Sequence, residues 1–391
     1  MKKQRPSIEL DTDDLGRGPW IYGRQVPPPA ESIEPGSIVE ILDASRRFIG
    51  FGLYNPFSDI RIRVISRGRK SDLDNLRQFL LQRLASADRL RKRLLDLPRN
   101  TDAYRVVHAE GDDLPGLVVD RLGNTLVCEY HSLGFYELQE DIAWALGELY
   151  PGAHIIHRVP RGARSAEGFD PAEEPDEVAE VEIVEHGVRF RLLPGVGHKT
   201  GFFCDQRDNR QKVASYCKGA DVLDLCCNIG AFALHAKQAG ARSVRAVDLD
   251  EVVLERAEAS RAANDLDVEF LHADVFHVMR DEVRKGSTSR VVILDPHKIV
   301  PGKRYLEEGL HKYGDLNTLA LGCVRPGGLL ATFSCSGAVE LQEFVGMVFR
   351  AARRAERDIR VLEVLGAGPD HPQRPEFPRS RYLKGLLLAV D

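Results

Sequence analysis

Residues 221–250 read DVLDLCCNIGAFALHAKQAGARSVRAVDLD, a complete strand–helix–strand half-unit. The apolar run 222–225 suits a strand buried on both faces of a parallel sheet. Asn228-Ile229-Gly230 is a tight turn, and Gly230 lets the backbone approach a ligand at the foot of the next helix. Phe232, Ala233 and Ala236 recur at helical spacing, and Ala239-Gly240 closes the helix. Residues 244–247 form the second strand, with Asp248 at its carboxyl end. A carboxylate there can accept hydrogen bonds from both hydroxyls of a ribose. The dinucleotide fingerprint G-x-G-x-x-G is absent, because Cys226 stands where its first glycine would fall. Fewer glycines, with an acid after the next strand, fit a nucleoside that carries no pyrophosphate. S-adenosylmethionine (SAM) is the obvious such cofactor, and Asp224, Asn228, Gly230 and Asp248 are its candidate ligands within this stretch. A flavodoxin-like unit of unrelated use shares the pattern, so the rest of the chain must decide.

Downstream, strand and helix keep alternating. Residues 268–272 form a strand ending near Asp274, and 290–294 another that runs into Asp295-Pro296-His297-Lys298. Residues 328–334 lead into Cys335-Ser336-Gly337, and two closing strands, 359–365 and 383–390, have no long helix between them. Five β/α units and a final hairpin predict an α/β, Rossmann-like domain: a seven-stranded, mostly parallel sheet with one antiparallel strand, the class I methyltransferase architecture. Ligands of such sheets bind at the carboxyl ends of the strands. Gly230, Asp248, Asp274, Asp295 and Cys335 all fall there.

Upstream, residues 1–66 hold short alternating strands between Gly, Pro and Asn turns, which predicts a compact β-barrel. Trp20, Tyr22, Arg61 and Arg63 could there hold RNA by stacking and charge, unless Trp20 is a core plug. Ser71 or Asp72 is expected to cap a helix running to about Leu97, with Leu73, Leu76, Leu80, Leu84, Leu90 and Leu94 on one side. A small antiparallel sheet, a helix near 136–150 and a strand at 153–158 complete an α+β unit. Residues 161–180, rich in Glu, Asp and Pro, read as a loop or linker. A hairpin at 181–185 and 188–193 opens the last domain. The expected division is a β-barrel over 1–68, a middle domain over 69–180 and the methyltransferase domain over 181–391.

Across 391 residues the net charge is −5, yet the charge is uneven. Between Ile60 and Arg105 thirteen Lys/Arg face five Asp, whereas 166–185 holds nine acids and no base. Such a chain can dock on phosphate through one part only; a solvated basic helix face reads the same way. Seven cysteines without a CxxC pair disfavour disulfides and zinc, and no metal site is expected. The start lacks an apolar signal region and no run approaches membrane-helix length, so a cytoplasmic protein without membrane contact is expected.

Two residues carry the chemistry. Asp295, after the fourth strand, can hydrogen-bond the edge of a base held beside the cofactor; a strand-terminal Asp capping its own turn is the plain alternative. Cys335, after the fifth, precedes a helix whose positive end favours a thiolate. Pyrimidine C5 is a poor nucleophile until sulfur adds at C6, so methylation of C5 needs such a thiolate. A buried structural cysteine is the alternative. Cys226 and Cys227 read as small residues packing the cofactor loop.

The chain resembles, nearly end to end, the ribosomal RNA large-subunit cytosine-C5 methyltransferases of the RlmI/YccW type. The matching pieces are Pro19-Trp20, AEGDDLPGLVVDRLGN (109–124), EHG (185–187), HKTGFFCDQRDNR (198–210), the 221–250 stretch, Asp274-Val275-Phe276, Asp295-Pro296, FSCSG (333–337), Asp370-His371-Pro372 and YLKG (382–385). The resemblance implies an N-terminal PUA domain, SAM as donor, a cytosine of 23S ribosomal RNA as acceptor, Cys335 and Asp295 as catalytic, and Gln206 and Arg207 near cofactor or RNA. It leaves a homodimer open. Two departures stand out: His297 replaces the second proline of the family's DPPK, and DTDDLGRGPW (11–20) lacks the usual basic run before Pro-Trp. A guanine-N2 or adenine-N6 methyltransferase on this fold is the near rival and needs no thiol. A non-catalytic RNA-binding assembly factor is the distant one.

Overall fold

The computed structural model describes residues 5–12, 16, 18–29, 31–171, 178–195 and 199–391. Part of the 11–20 stretch, residues 172–177 of the acidic segment, and Gly197 and His198 lie outside these. The chain forms two compact units. The first comprises Met1–Val181, Leu193–Phe202 and Pro369–Ser380; the second comprises Glu182–Leu192, Phe203–Gly368 and Arg381–Asp391.

The first unit holds two sheets. Strands β1 (Ser7–Glu9), β2 (Trp20–Tyr22), β3 (Ile38–Leu42), β4 (Phe48–Tyr54) and β5 (Ile60–Ser66) pair in the order β1-β3-β4-β5-β2. This is an open version of the expected barrel, and its inner face buries Ile8, Ile21, Val39, Ile41, Ile62 and Val64. Strands β6 (Ala103–His108), β7 (Leu117–Leu122) and β8 (Thr125–Tyr130) are antiparallel, and β9 (His154–Arg158) joins β8 in parallel. Helices α1 (Leu76–Arg89), α2 (Leu133–Glu137) and α3 (Gln139–Leu149) accompany this sheet, and Phe51, Leu53 and Ile65 share one core with Leu80, Leu84, Val106, Phe135 and Ile142.

Three expectations change here. The helix starts later than Ser71/Asp72, because Asn75 caps it by accepting from the Gln78 N–H at 3.1 Å. It also stops being α-helical at Arg89, and Leu90–Leu94 form a π-helical turn that turns Leu94 outward instead of into the core. Within the expected linker, Arg161–Glu167 is a helix, α4. Glu167 is buried and accepts from Asn55, Ser58, Arg63 and the Leu133 N–H.

The RNA-stacking reading of the first strands is corrected as well. Arg63 is buried against Glu167 at 2.8 Å and donates to the His131 carbonyl, so it offers no cation to phosphate. The Trp20 indole N–H donates to Glu110 at 2.9 Å, its ring meets Phe377 edge-on, and the guanidinium groups of Arg63 and Arg379 lie over it. Trp20 is thus half-buried among protein groups, and Arg63 is withdrawn from the surface.

The second unit opens with the hairpin β10 (Val181–Glu185) and β11 (Val188–Leu192), then α5 (Arg207–Ala214). There follow β12 (Asp221–Leu225), α6 (Ala231–Gln238), β13 (Ser243–Asp248), α7 (Glu251–Asn264), β14 (Glu269–His272), α8 (Val275–Lys285), β15 (Ser289–Leu294), α9 (Leu306–Gly322), β16 (Val324–Ser334), α10 (Leu341–Arg354), β17 (Ile359–Gly366) and β18 (Lys384–Val390). The sheet order is β14-β13-β12-β15-β16-β18-β17, all parallel except β18, which is antiparallel to both neighbours. The order reverses between β12 and β15, and that switch point opens the ligand crevice. Beneath it a buried ion pair ties hairpin to helix: both Arg210 nitrogens reach Glu185 at 2.6 and 2.7 Å, and His235 joins at 3.1 Å. Burial alone would raise the Glu185 pKa, but Arg210 and His235 hold it down to about 2.

Candidate active site

The turn after β12 passes three times through the left-handed region, which suits Gly and Asn but not Cys. Cys226, Asn228 and Gly230 have φ of 62°, 51° and 72°. Cys226 therefore does adopt the glycine-like conformation that the missing fingerprint glycine would have filled, at a cost of about 1–3 kcal/mol. The close approach at Gly230 is to protein: a Cβ there would lie 2.6 Å from the Phe270 ring. Asp248, half-buried at the end of β13, fixes the turn by accepting from the Asn228 N–H at 2.8 Å and from the Asp250 N–H at 3.0 Å. Leu249 beside it is 67% exposed and presents an apolar surface.

Carboxylates converge on this turn. Asp224 is fully enclosed; one oxygen accepts from the Ala233 N–H at 3.0 Å, and the other is buried with no hydrogen-bond partner. Burial, then the charges of Asp295 and Asp248, push its pKa up to about 8. Burial and the same carboxylates, with Asp274 as the outermost, raise the Cys226 thiol above its ordinary value. Cys227 is raised likewise, chiefly by burial. That direction disfavours the thiolate in both. Asp274 is exposed and caps α8 through the Phe276 N–H at 2.8 Å. A site this rich in negative charge, with an unmet acceptor, fits a cofactor that brings cationic groups and sugar hydroxyls.

Asp295, half-buried after β15, is held from the far side. Gln206 donates to it at 2.8 Å, Asn209 donates to the Gln206 carbonyl at 2.5 Å, and Asn209 also reaches the Gly366 carbonyl at 2.9 Å. The expected Gln206 thus joins Asp295 directly, through a relay whose last member, Asn209, left no signal in sequence. Arg207 is 2% exposed, with its Nε donating to Asp208 at 3.0 Å. His297 and Lys298 are exposed, so the departure from DPPK places an imidazole at the open rim.

Cys335 is half-buried where β16 ends, one strand over from Asp295; the helix expected directly after it begins only at Leu341, so its N-terminal end is not at the sulfur. Its flanking serines are clamped. Ser334 Oγ donates to the Tyr313 hydroxyl at 3.0 Å, the same hydroxyl lies 3.0 Å from Ser336 Oγ, and Ser336 Oγ accepts from the Val300 N–H. Lys384, paired with Ser334 across β16 and β18, was quoted in sequence but given no role. Its buried ammonium donates to the Ser336 carbonyl at 2.6 Å and to the Tyr382 carbonyl at 2.8 Å, and it lies close enough to feel the charge of Cys335. Burial lowers its pKa to about 8, against the pull of Cys335 and Glu343. A lone lysine in the apolar run LKGLLLAV was the signal: buried ammonium groups are rare unless they have an assignment.

Known proteins resemble the chain along most of its length. A family model of S-adenosylmethionine-dependent methyltransferases matches residues 137–387, and a PUA-like domain model matches 15–67. SMU.776, a methyltransferase solved in complex with SAH, shares the fold at TM-score 0.81, with 18% identity over 98% of this chain and 100% of that one. Fold and family model together define a SAM-dependent methyltransferase, and SAM is the cofactor. "Ribosomal RNA large subunit methyltransferase I" of Pseudoalteromonas atlantica is 36% identical, with 96% of each chain covered. The protein of the same name from Photobacterium profundum is also 36% identical over 96% of each. The chain belongs to this ribosomal RNA large subunit methyltransferase I family.

Proposed function

We propose that the protein methylates C5 of a cytosine in large-subunit (23S) ribosomal RNA through a covalent adduct with Cys335. The observation that carries this reading is the clamped Cys335 turn with a buried ammonium behind it, at the carboxyl end of the strand next to Asp295. A guanine or adenine amino group needs positioning and a proton acceptor, and has no use for a thiolate poised in this way.

SAM fits the crevice as argued from its unmet negative charge. Asp248 would accept the ribose hydroxyls, Leu249 would face the adenine, and Asp224, Asn228, Gly230 and Asp274 would complete the cradle. Bound there, the cofactor supplies the electrophilic methyl group. Asp295, steadied by Gln206 and Asn209, would orient the cytosine edge. The Cys335 sulfur would add to C6, giving C5 its nucleophilic character, and leave again once the C5 proton has been lost. The target must be unstacked for sulfur to reach its face. Nucleoside mass spectrometry should find one 5-methylcytidine in large-subunit RNA incubated with enzyme and SAM. Methylated guanosine or adenosine instead would overturn the assignment.

Lys384 is the positioning residue of this mechanism. Its ammonium is present below pH about 8 and is lost above it, so the methyl-transfer rate should fall on the alkaline side. Lys384→Met should lose that limb and slow methyl transfer at neutral pH about tenfold, a free-energy effect of about 1.4 kcal/mol. The rate of Cys335 alkylation by iodoacetamide should drop in parallel. A Lys384→Met enzyme with the wild-type pH profile and alkylation rate would reduce the lysine to a tie for the turn.

A further inference from the structure

Of the thirteen basic residues between Ile60 and Arg105, seven are committed to ion pairs. Arg63, Lys70, Arg77, Arg83, Arg91, Lys92 and Arg105 pair with Glu167, Glu40, Asp141, Asp113, Asp112, Asp88 and Asp120. Arg67 donates to the Gly18 carbonyl. What remains is not spread evenly. Of the five, Arg61 and Arg69 lie apart in sequence, whereas Arg89, Arg93 and Arg99 are all exposed, have side chains with no hydrogen-bond or ion-pair partner among the described residues, and lie on or beside one turn.

That turn is the π-helical segment Leu90–Leu94, closed by the Leu95 N–H donating to the Leu90 carbonyl at 3.0 Å. Arg91 holds it open. This guanidinium, wholly buried, donates to both oxygens of Asp112 and to the Ala87, Arg105 and Asp370 carbonyls. The extra residue in the turn slips the helix phase after Arg91, so Leu95 and Leu97 turn inward while Leu94 stands 76% exposed between Arg93 and the Arg99 turn. A regular helix would have buried that leucine in the stripe begun by Leu80 and Leu84. π turns are uncommon and are frequent at functional sites.

We propose that this leucine-tipped basic turn is a docking surface for RNA at an unstacked step, such as a loop or bulge. The three guanidinium groups would lie on phosphates while Leu94 packs on an exposed base face. The inference rests on RNA being the substrate. Unlike Arg63, its cations have no ion-pair partner among the described residues.

The test uses the full-length protein and transcribed 23S ribosomal RNA, with binding measured across a salt series. Arg89→Glu/Arg93→Glu/Arg99→Glu should flatten the slope of log affinity against log salt by about two to three units, the share of three phosphate contacts. Leu94→Ala should weaken binding about fivefold with the slope unchanged. SAM affinity and melting temperature should match wild type in both variants. Wild-type slope and affinity in the variants would overturn this surface and leave the methyltransferase reading intact, since the wild-type enzyme still methylates the RNA. A wild type that neither binds nor methylates the RNA would overturn both. If Leu94→Ala changes the sedimentation of the protein and not its RNA affinity, the turn is a contact between copies and the proposal fails.

Discussion

Alanine at position 335 should reduce methyl transfer to large-subunit RNA below detection, a loss of at least about ten-thousandfold, with SAM binding unchanged within about twofold. The clamp that shapes its turn is made by Ser334, Ser336, Tyr313 and Lys384. The fold should therefore persist. Fluorine in place of the C5 proton sharpens the result. The sulfur can leave only after C5 has lost a proton, and fluorine cannot leave as one. RNA containing 5-fluorocytidine should then remain joined to the methylated adduct in a complex that survives denaturation. Cys335→Ala should form no such complex, whereas Cys226→Ala and Cys227→Ala should still form it, because burial raises both thiols above their ordinary pKa and disfavours the thiolate. Near-normal turnover by Cys335→Ala would falsify the cytosine-C5 mechanism and favour an amino-group acceptor.

The second large effect is expected at Asp248. Removing two hydrogen bonds from sugar hydroxyls to a half-buried carboxylate costs about 3 kcal/mol, or about a hundredfold in SAM affinity. The same carboxylate also holds the Asn228 and Asp250 N–H groups, so alanine loosens the turn as well. Asp248→Asn can keep one of these acceptors and should lose less, about tenfold. Calorimetry on the two folded variants separates the contributions. Equal, wild-type affinity in both would place the ribose elsewhere.

The methyltransferase sheet could be read from sequence because its information is local. Each apolar run, turn and terminal acid between Val222 and Cys335 lies within a few residues of the next, and strand order follows from handed crossovers. Pairing across the chain could not be read. Arg63 and Arg91 look like spare cations until Glu167 and the Asp370 carbonyl arrive, and those partners lie 104 and 279 residues away. Leu94 was misassigned for a related reason: periodicity assumes a constant pitch, and a π turn changes it by one residue. Asn209 reaches Asp295 only through Gln206, and no spacing announces a relay.

The division of the chain bears on how the protein can be made. Its path crosses between the two compact units five times, and the last crossing falls at Ser380–Arg381, eleven residues from the end. The first unit takes in Pro369–Ser380, where the Asp370 carboxylate accepts the Arg105 N–H and its carbonyl accepts from Arg91. A fragment ending at Phe202 would leave those buried donors unmet, and one ending at Ser380 would lack β18 from the middle of the other sheet. Neither unit has all of its pieces before the residues from Pro369 onward have been made. Dissection by truncation will therefore give aggregates rather than modules, and the two activities are separable only by point substitution in the intact polypeptide.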